Sequence, residues 1–122
     1  MNAEFDFDKM GGLLPAVVQD SIDGEVLMVG FMNRQALERT LEKGYVTFFS
    51  RTRQQLWMKG ESSGNRLRVV SAHTDCDRDT LLLRVEVKGA GVVCHRGTRS
   101  CFTELIPPRT SEMVAGAPKE TR

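Results

Sequence analysis

The sequence predicts a mainly β fold, an α+β chain with one short amphipathic helix, on three observations. Short β-branched and aromatic segments recur along the chain, separated by turn residues. Only one stretch, 33–44, combines helical spacing with a start and a stop signal. The 122 residues, 40% apolar and 27% charged, are ordinary for one globular domain with a buried core.

The elements follow in order. "PAVVQD" (15–20) and "EVLMVGFM" (25–32) are β-rich and flank "SIDG", whose Asp-Gly end marks a turn, so a hairpin is expected. In "NRQALERTLEKG" (33–44), Asn33 is a helix N-cap, Leu37 and Leu41 stand four apart, and Gly44 follows the last turn. "YVTFFS" (45–50) is a strand by composition. "RTRQQ" (51–55) turns the chain so that "LWMKG" (56–60) pairs back, and "ESSGN" (61–65) has loop chemistry. "RLRVVSA" (66–72) and "TLLLRVEV" (80–87) are two further strands, and "CFTELI" (101–106) is placed as a closing strand. The expected domain ends at residue 106. From 107 to 122, three prolines and no apolar period predict a mobile C-terminal tail.

The net charge of +1 offers no electrostatic footprint for nucleic acid or an anionic membrane. No apolar run is long enough to span a bilayer. The N-terminus carries acids where a signal peptide needs bases and an apolar stretch, so a cytoplasmic protein is expected. Three cysteines without an export signal favour metal ligation or reactive thiols over a disulfide framework. The plain alternative is three small buried hydrophobes.

The chemistry concentrates in "DCDRD" (75–79) and "CHRGTRSC" (94–101). In an extended segment, Asp75, Asp77 and Asp79 share one side while Cys76 points to the other. Hard carboxylates suit magnesium or manganese, and a thiolate suits zinc. The competing reading is a solvated acidic turn. "DCDRDTLLLRVE" also fits a calcium loop at four positions, but Thr80 stands where that loop needs glycine, and the segment prefers to be a straight strand. Cys76, Cys94 and Cys101 make three thiolates without the usual close Cys pair of a structural zinc site. Three ligands leave a fourth position open, the pattern of catalytic zinc. His95, next to Cys94, is either a fourth ligand or an acid/base group. If Cys76 faces away from its aspartates, Cys94 and Cys101 must reach that side from the same chain or from a two-fold partner.

"LWMKGESSGN" (56–65) offers Lys59, Ser62 and Ser63 with two glycines, a set able to hold phosphate but equally able to form a plain polar loop. Arg51 and Arg53 add cationic donors. Trp57, the only tryptophan, suits the core more readily than a base-stacking platform, yet joins these five as a substrate-binding candidate.

From about Leu13 to Phe102, the blocks "GEVLMVGFMN", "SRTRQQLWMKGESSGN", "DCDRDTLLL" and "CHRGTRSCF" occur in the order that resembles the phosphoribosyl-AMP cyclohydrolase family of histidine biosynthesis. That resemblance implies a small mixed-sheet pseudo-barrel in an intertwined homodimer. It implies magnesium at Asp75, Asp77 and Asp79, and zinc at Cys76, Cys94 and Cys101, with Cys76 crossing the dimer interface. His95 matches the histidine of the family's Cys-His pair and is the candidate proton donor. The implied reaction is hydrolysis of the N1–C6 bond of phosphoribosyl-AMP by zinc-activated water, on a small nucleotide substrate. Ser62, where the family commonly has threonine, keeps the hydroxyl. A non-catalytic module stapled by zinc is the alternative.

Overall fold

The computed structural model describes residues 4–109. The first element among the described residues is a 3-10 turn, Phe7–Met10, which sequence patterning did not predict. Phe7 is buried and pins this turn to the core, with the Arg34 guanidinium 4.6 Å from its ring centroid. Six strands and one α-helix follow. They are β1 Leu14–Asp20, β2 Val26–Met32, α1 Arg34–Lys43, β3 Thr47–Ser50, β4 Gln55–Met58, β5 Leu67–Thr74 and β6 Leu81–Val87.

Four strands form a mixed sheet in the order β2-β1-β6-β5. β1 pairs antiparallel with β2, as the hairpin pattern required, and parallel with β6. Burial alternates strictly along β1: Leu14, Ala16, Val18 and Asp20 face inward. β6 repeats that alternation with Leu81, Leu83 and Val85. Period-two patterning of this kind puts one face of each strand on the core.

The punctuation of α1 forms as the sequence requires. The Asn33 side chain accepts from the Ala36 N–H at 2.9 Å, and Gly44 closes the helix at φ 83°, where an L side chain is disfavoured. The buried face is Ala36, Leu37 and Thr40, while Leu41 is exposed. Thr40 takes part of the role expected of Leu41. Its hydroxyl donates to the Ala36 carbonyl and accepts from the Thr47 N–H at 2.9 Å, joining helix to β3.

β3 and β4 form a separate two-stranded hairpin. The expected pseudo-barrel does not close. The hairpin reaches β5 only through a single bridge, Tyr45 to Arg68, and it lies over β2 by side-chain packing. The absent side chain of Gly30 makes that packing possible: a Cβ there would lie 2.5 Å from the Phe48 ring. The expected strand at 101–106 is also absent. Only the Cys101 N–H bonds to β2, at the Leu27 carbonyl (2.8 Å), and Phe102, Leu105 and Ile106 are exposed. Pro107 and Pro108 then supply no N–H for a ladder. The expected tail lies mostly outside the described residues. Among the described residues, no helix is long and apolar enough to cross a membrane.

Gly30→Ala should destabilise the chain by about 1–3 kcal/mol through overpacking against Phe48. Urea denaturation measures the loss.

Candidate active site and metal centres

The acidic cluster is built by a turn, not by an extended segment. Residues 75–79 connect β5 to β6, and Arg78 adopts the left-handed region at φ 61°. Asp75 organises the turn. Its Oδ1 accepts from the N–H groups of Asp79 (3.1 Å) and Thr80 (3.2 Å). Short carboxylate side chains bond their own backbone in this way and compete with strand pairing. The turn gathers a carboxylate oxygen from each of Asp75, Asp77 and Asp79 within 4.8 Å of one another. The three carboxylates thus gather without Cys76, but through a turn and not through the strand alternation expected, and Cys76 is exposed on that turn. The calcium-loop alternative loses its last ligand, because Glu86 lies on β6 and its carboxylate accepts from Arg68 at 3.0 Å.

A residue that the sequence did not flag completes this cluster. The Lys9 ammonium donates to Asp77 Oδ2 and to Asp79 Oδ2, both at 2.9 Å. The main chain fastens the same two segments, since the Asp6 N–H donates to the Arg78 carbonyl at 2.8 Å. Asp77 first, and then Asp79, raise Lys9 well above the ordinary lysine range. Lys9 in turn lowers Asp79 from 3.8 to about 2. The cluster fits a small hard cation by its all-oxygen donor set, and the lysine ammonium stands in for that cation here.

The cysteine loop is held at its neck. The Cys94 N–H donates to the Thr98 carbonyl (3.0 Å), and the Gly97 N–H to the Cys94 carbonyl (3.0 Å). The Ser100 hydroxyl donates to the Val26 carbonyl (2.8 Å), beside the Cys101–Leu27 bond. Arg99 fastens the loop to the β1–β2 turn. It donates to Glu25 at 2.9 Å and pairs with Asp20, the last inward residue of β1. No local pattern links Arg99 to Asp20; an acid at an inward strand position was the one available signal.

The thiols of Cys94 and Cys101 lie near enough to influence each other's ionisation. The Arg96 N–H, 3.5 Å from Cys94 Sγ, is the main cause holding the Cys94 thiol below its ordinary range, and Thr98 adds to it. Cys101 sits higher, first from lost hydration around its sulfur and then from the neighbouring Cys94. Cys94 is thus the first of the pair to ionise. Two neighbouring sulfurs, one of them shifted toward its thiolate, fit half of a zinc coordination sphere. Cys76 does not join them: among the described residues, the three thiols form no common cluster within one chain.

A cleft of ≈ 820 Å³ opens beside Cys94. One wall holds Trp57 of β4 with Lys59, Ser62 and Ser63 just after it, another holds Cys94 and His95, and Arg53 also lines the cleft. Six predicted residues thus meet Cys94 in one cavity. Arg51 does not line it, because its guanidinium stacks over Phe31 at 4.1 Å. Trp57 is half-exposed, its ring 5.4 Å from Phe48 on one side and 5.8 Å from the Lys59 ammonium. Asn65 was missed. Its Oδ1 accepts from the Ala90 N–H at 2.8 Å and ties the serine loop to the segment leading into Cys94. Gly60, at φ 79°, lets the Asn65 backbone pass where a side chain would collide.

The family model described as phosphoribosyl-AMP cyclohydrolase matches residues 28–103, which include the cleft, the acidic turn and the cysteine loop. The chain belongs to the phosphoribosyl-AMP cyclohydrolase family. It is 55% identical over 103 residues to the phosphoribosyl-AMP cyclohydrolase of Desulfatibacillum aliphaticivorans, covering 84% of this chain and 82% of that one. It is 59% identical over 99 residues to the histidine biosynthesis bifunctional protein of Salmonella typhimurium, and 57% over 101 residues to that of Bacteroides thetaiotaomicron. These alignments cover 81% and 83% of this chain but 48% and 49% of those relatives. The chain therefore spans about half the length of the bifunctional relatives it matches.

The depressed Asp79 value has a definite pH signature. Stabilisation from the Lys9–Asp79 contact is complete above the ordinary carboxyl value of 3.8 and is lost as pH falls through about 2. Carboxyl-detected NMR should find Asp79 titrating near that lower value, and Lys9→Met should move it upward.

Proposed function

We propose that this chain hydrolyses the N1–C6 bond of the purine ring of phosphoribosyl-AMP, giving the formimino carboxamide ribonucleotide in the third step of histidine biosynthesis. The observation that carries the reading is the cleft. It joins phosphate-type donors and an aromatic face to the Cys94–His95 pair in one cavity, in a chain 55% identical to a relative that bears that enzyme's name.

The residues divide the work by chemistry. Lys59, Ser62 and Ser63 offer donors for phosphate, with Arg53 adding charge in the same cleft. Trp57 presents its half-exposed ring to the base. In the hydrolysis, a water oxygen adds to C6, the N1–C6 bond breaks, and N1 keeps the bonding pair and takes a proton. His95, adjacent to Cys94 on the cleft wall, is the proton donor in this scheme. Cys94 and Cys101 would hold zinc together with Cys76 of the partner subunit in a homodimer, because the chain's own Cys76 stands apart from them. When bound, zinc supplies a water whose pKa falls from about 15.7 to about 7. Asp75, Asp77 and Asp79 would hold magnesium.

Purified protein should open the ring of phosphoribosyl-AMP, and a zinc chelator should stop it. Cys94→Ser should lose both zinc, measured by elemental analysis, and turnover. A zinc-free variant with full turnover would overturn the zinc assignment. A folded, zinc-loaded wild type that leaves phosphoribosyl-AMP intact would favour a purely structural zinc staple.

Mixing tests the shared site. Cys76→Ser and Cys101→Ser homodimers should each be inactive. Subunit exchange should restore roughly a quarter to a half of wild-type turnover, because one of the two sites in each heterodimer is then intact. No recovery, with exchange verified by mass spectrometry, would place all three thiols in one chain.

A further inference from the structure

Lys9 occupies the position that a divalent cation would need. Its nitrogen lies 2.9 Å from Oδ2 of both Asp77 and Asp79. The third carboxylate, Asp75, already spends Oδ1 on two backbone N–H groups, so it stiffens the turn rather than holding the lysine. A hard cation binding these oxygens would sit at about 2.0–2.6 Å from them. An ammonium and a divalent ion cannot share that space, because like charges so close repel strongly.

The lysine arrives on a built support. Phe7 is buried and fixes the Phe7–Met10 turn, while the Gly12 N–H donates to the Phe7 carbonyl at 2.7 Å. The Asp6–Arg78 backbone bond sets this turn against residues 75–79. The Lys9 stem therefore starts next to the carboxylates, and only its flexible end must move for the ammonium to leave. Its side chain is half-exposed, so an outward rotamer meets water.

We infer that Lys9 is a tethered competitor of the divalent cation: its ammonium neutralises Asp77 and Asp79 in the cation-free chain and is expelled when the cation binds. The inference rests on the carboxylates being a divalent-cation site. Lys9 would keep the acidic turn folded without metal, where the aspartates would otherwise repel one another. It would also weaken the cation's apparent affinity, because binding must first break two charge-assisted contacts.

Mn²⁺ binding to the full chain, counted by the EPR signal of the free ion, tests this. Lys9→Met should bind Mn²⁺ about three- to tenfold more tightly than wild type, the range expected for releasing two exposed ion pairs. Lys9→Arg, which keeps the charge, should stay within about twofold of wild type on the same reasoning. An independent measurement uses the unaltered protein. Acetylation of Lys9 by an amine reagent, followed by mass spectrometry, should accelerate at saturating Mn²⁺, while acetylation of exposed Lys43, the last residue of α1, stays constant. Equal or weaker binding by Lys9→Met, or unchanged Lys9 acetylation, overturns the competitor role while leaving the cation site intact. If Lys9→Met fails to fold, the acetylation result alone decides. Absence of Mn²⁺ binding in every protein overturns the cation site and the competitor role together.

Discussion

The parallel pairing of β1 with β6 is the constraint on which the rest of the structure depends. Ala16 through Asp20 align with Leu81 through Val85, so two strands separated by most of the domain form the centre of the sheet. Parallel neighbours cannot be joined by a tight turn and need a long crossover. Here the crossover contains β2, α1, the β3–β4 hairpin and β5. It carries one wall of the cleft, and the turn that completes it carries the aspartates. The inward face of β1 ends in Asp20, and that buried carboxylate draws Arg99 back to the sheet. The cysteine loop is thereby returned to the end of the strand pair that began the fold.

The carboxylates and the thiols are organised by opposite means. The carboxylates are local: five consecutive residues curl so that side chains which an extended strand would set along one side converge in a turn. Asp75 forms that turn with its own oxygen, and Lys9 balances the charge of the other two. The thiols are not local. Cys94 and Cys101 meet because Arg99, Ser100 and Cys101 bond to the β1–β2 turn and the start of β2. Cys76, on the exposed acidic turn, is positioned to face outward from its own chain. Within one chain the three thiols therefore form no common set among the described residues.

Local signals proved legible in proportion to how local their causes are. Asn33 and Gly44 punctuate α1 through bonds within a few residues, and the hairpin at 20–25 depends on its own turn residues. The cleft set of Arg53, Trp57, Lys59, Ser62, Ser63, Cys94 and His95 was found by residue type and motif, and the fold brings it together. Three expectations failed where a distant partner decides. Leu41 is exposed because Thr40 supplies the contact to β3. "CFTELI" forms no strand because only Cys101 reaches the β2 edge. The barrel stays open because the Phe48 ring fills the space over Gly30, so β3 packs on β2 rather than pairing with it.

By itself the sequence determined the helix and its ends, most strand positions, the acidic cluster of the 75–79 turn, and the family blocks. Each depends on chemistry within a few residues, or on residue identity alone. Only the tertiary structure decided that Lys9 balances aspartates 68 and 70 positions away and that Arg99 answers Glu25 across 74. It also decided that "DCDRD" turns instead of extending, and that Cys76 stands apart from its sister thiols. The reason is physical: turn and cap preferences are short-range, whereas the partner of a charge or a thiol is chosen by packing between segments that meet only after the sheet has formed.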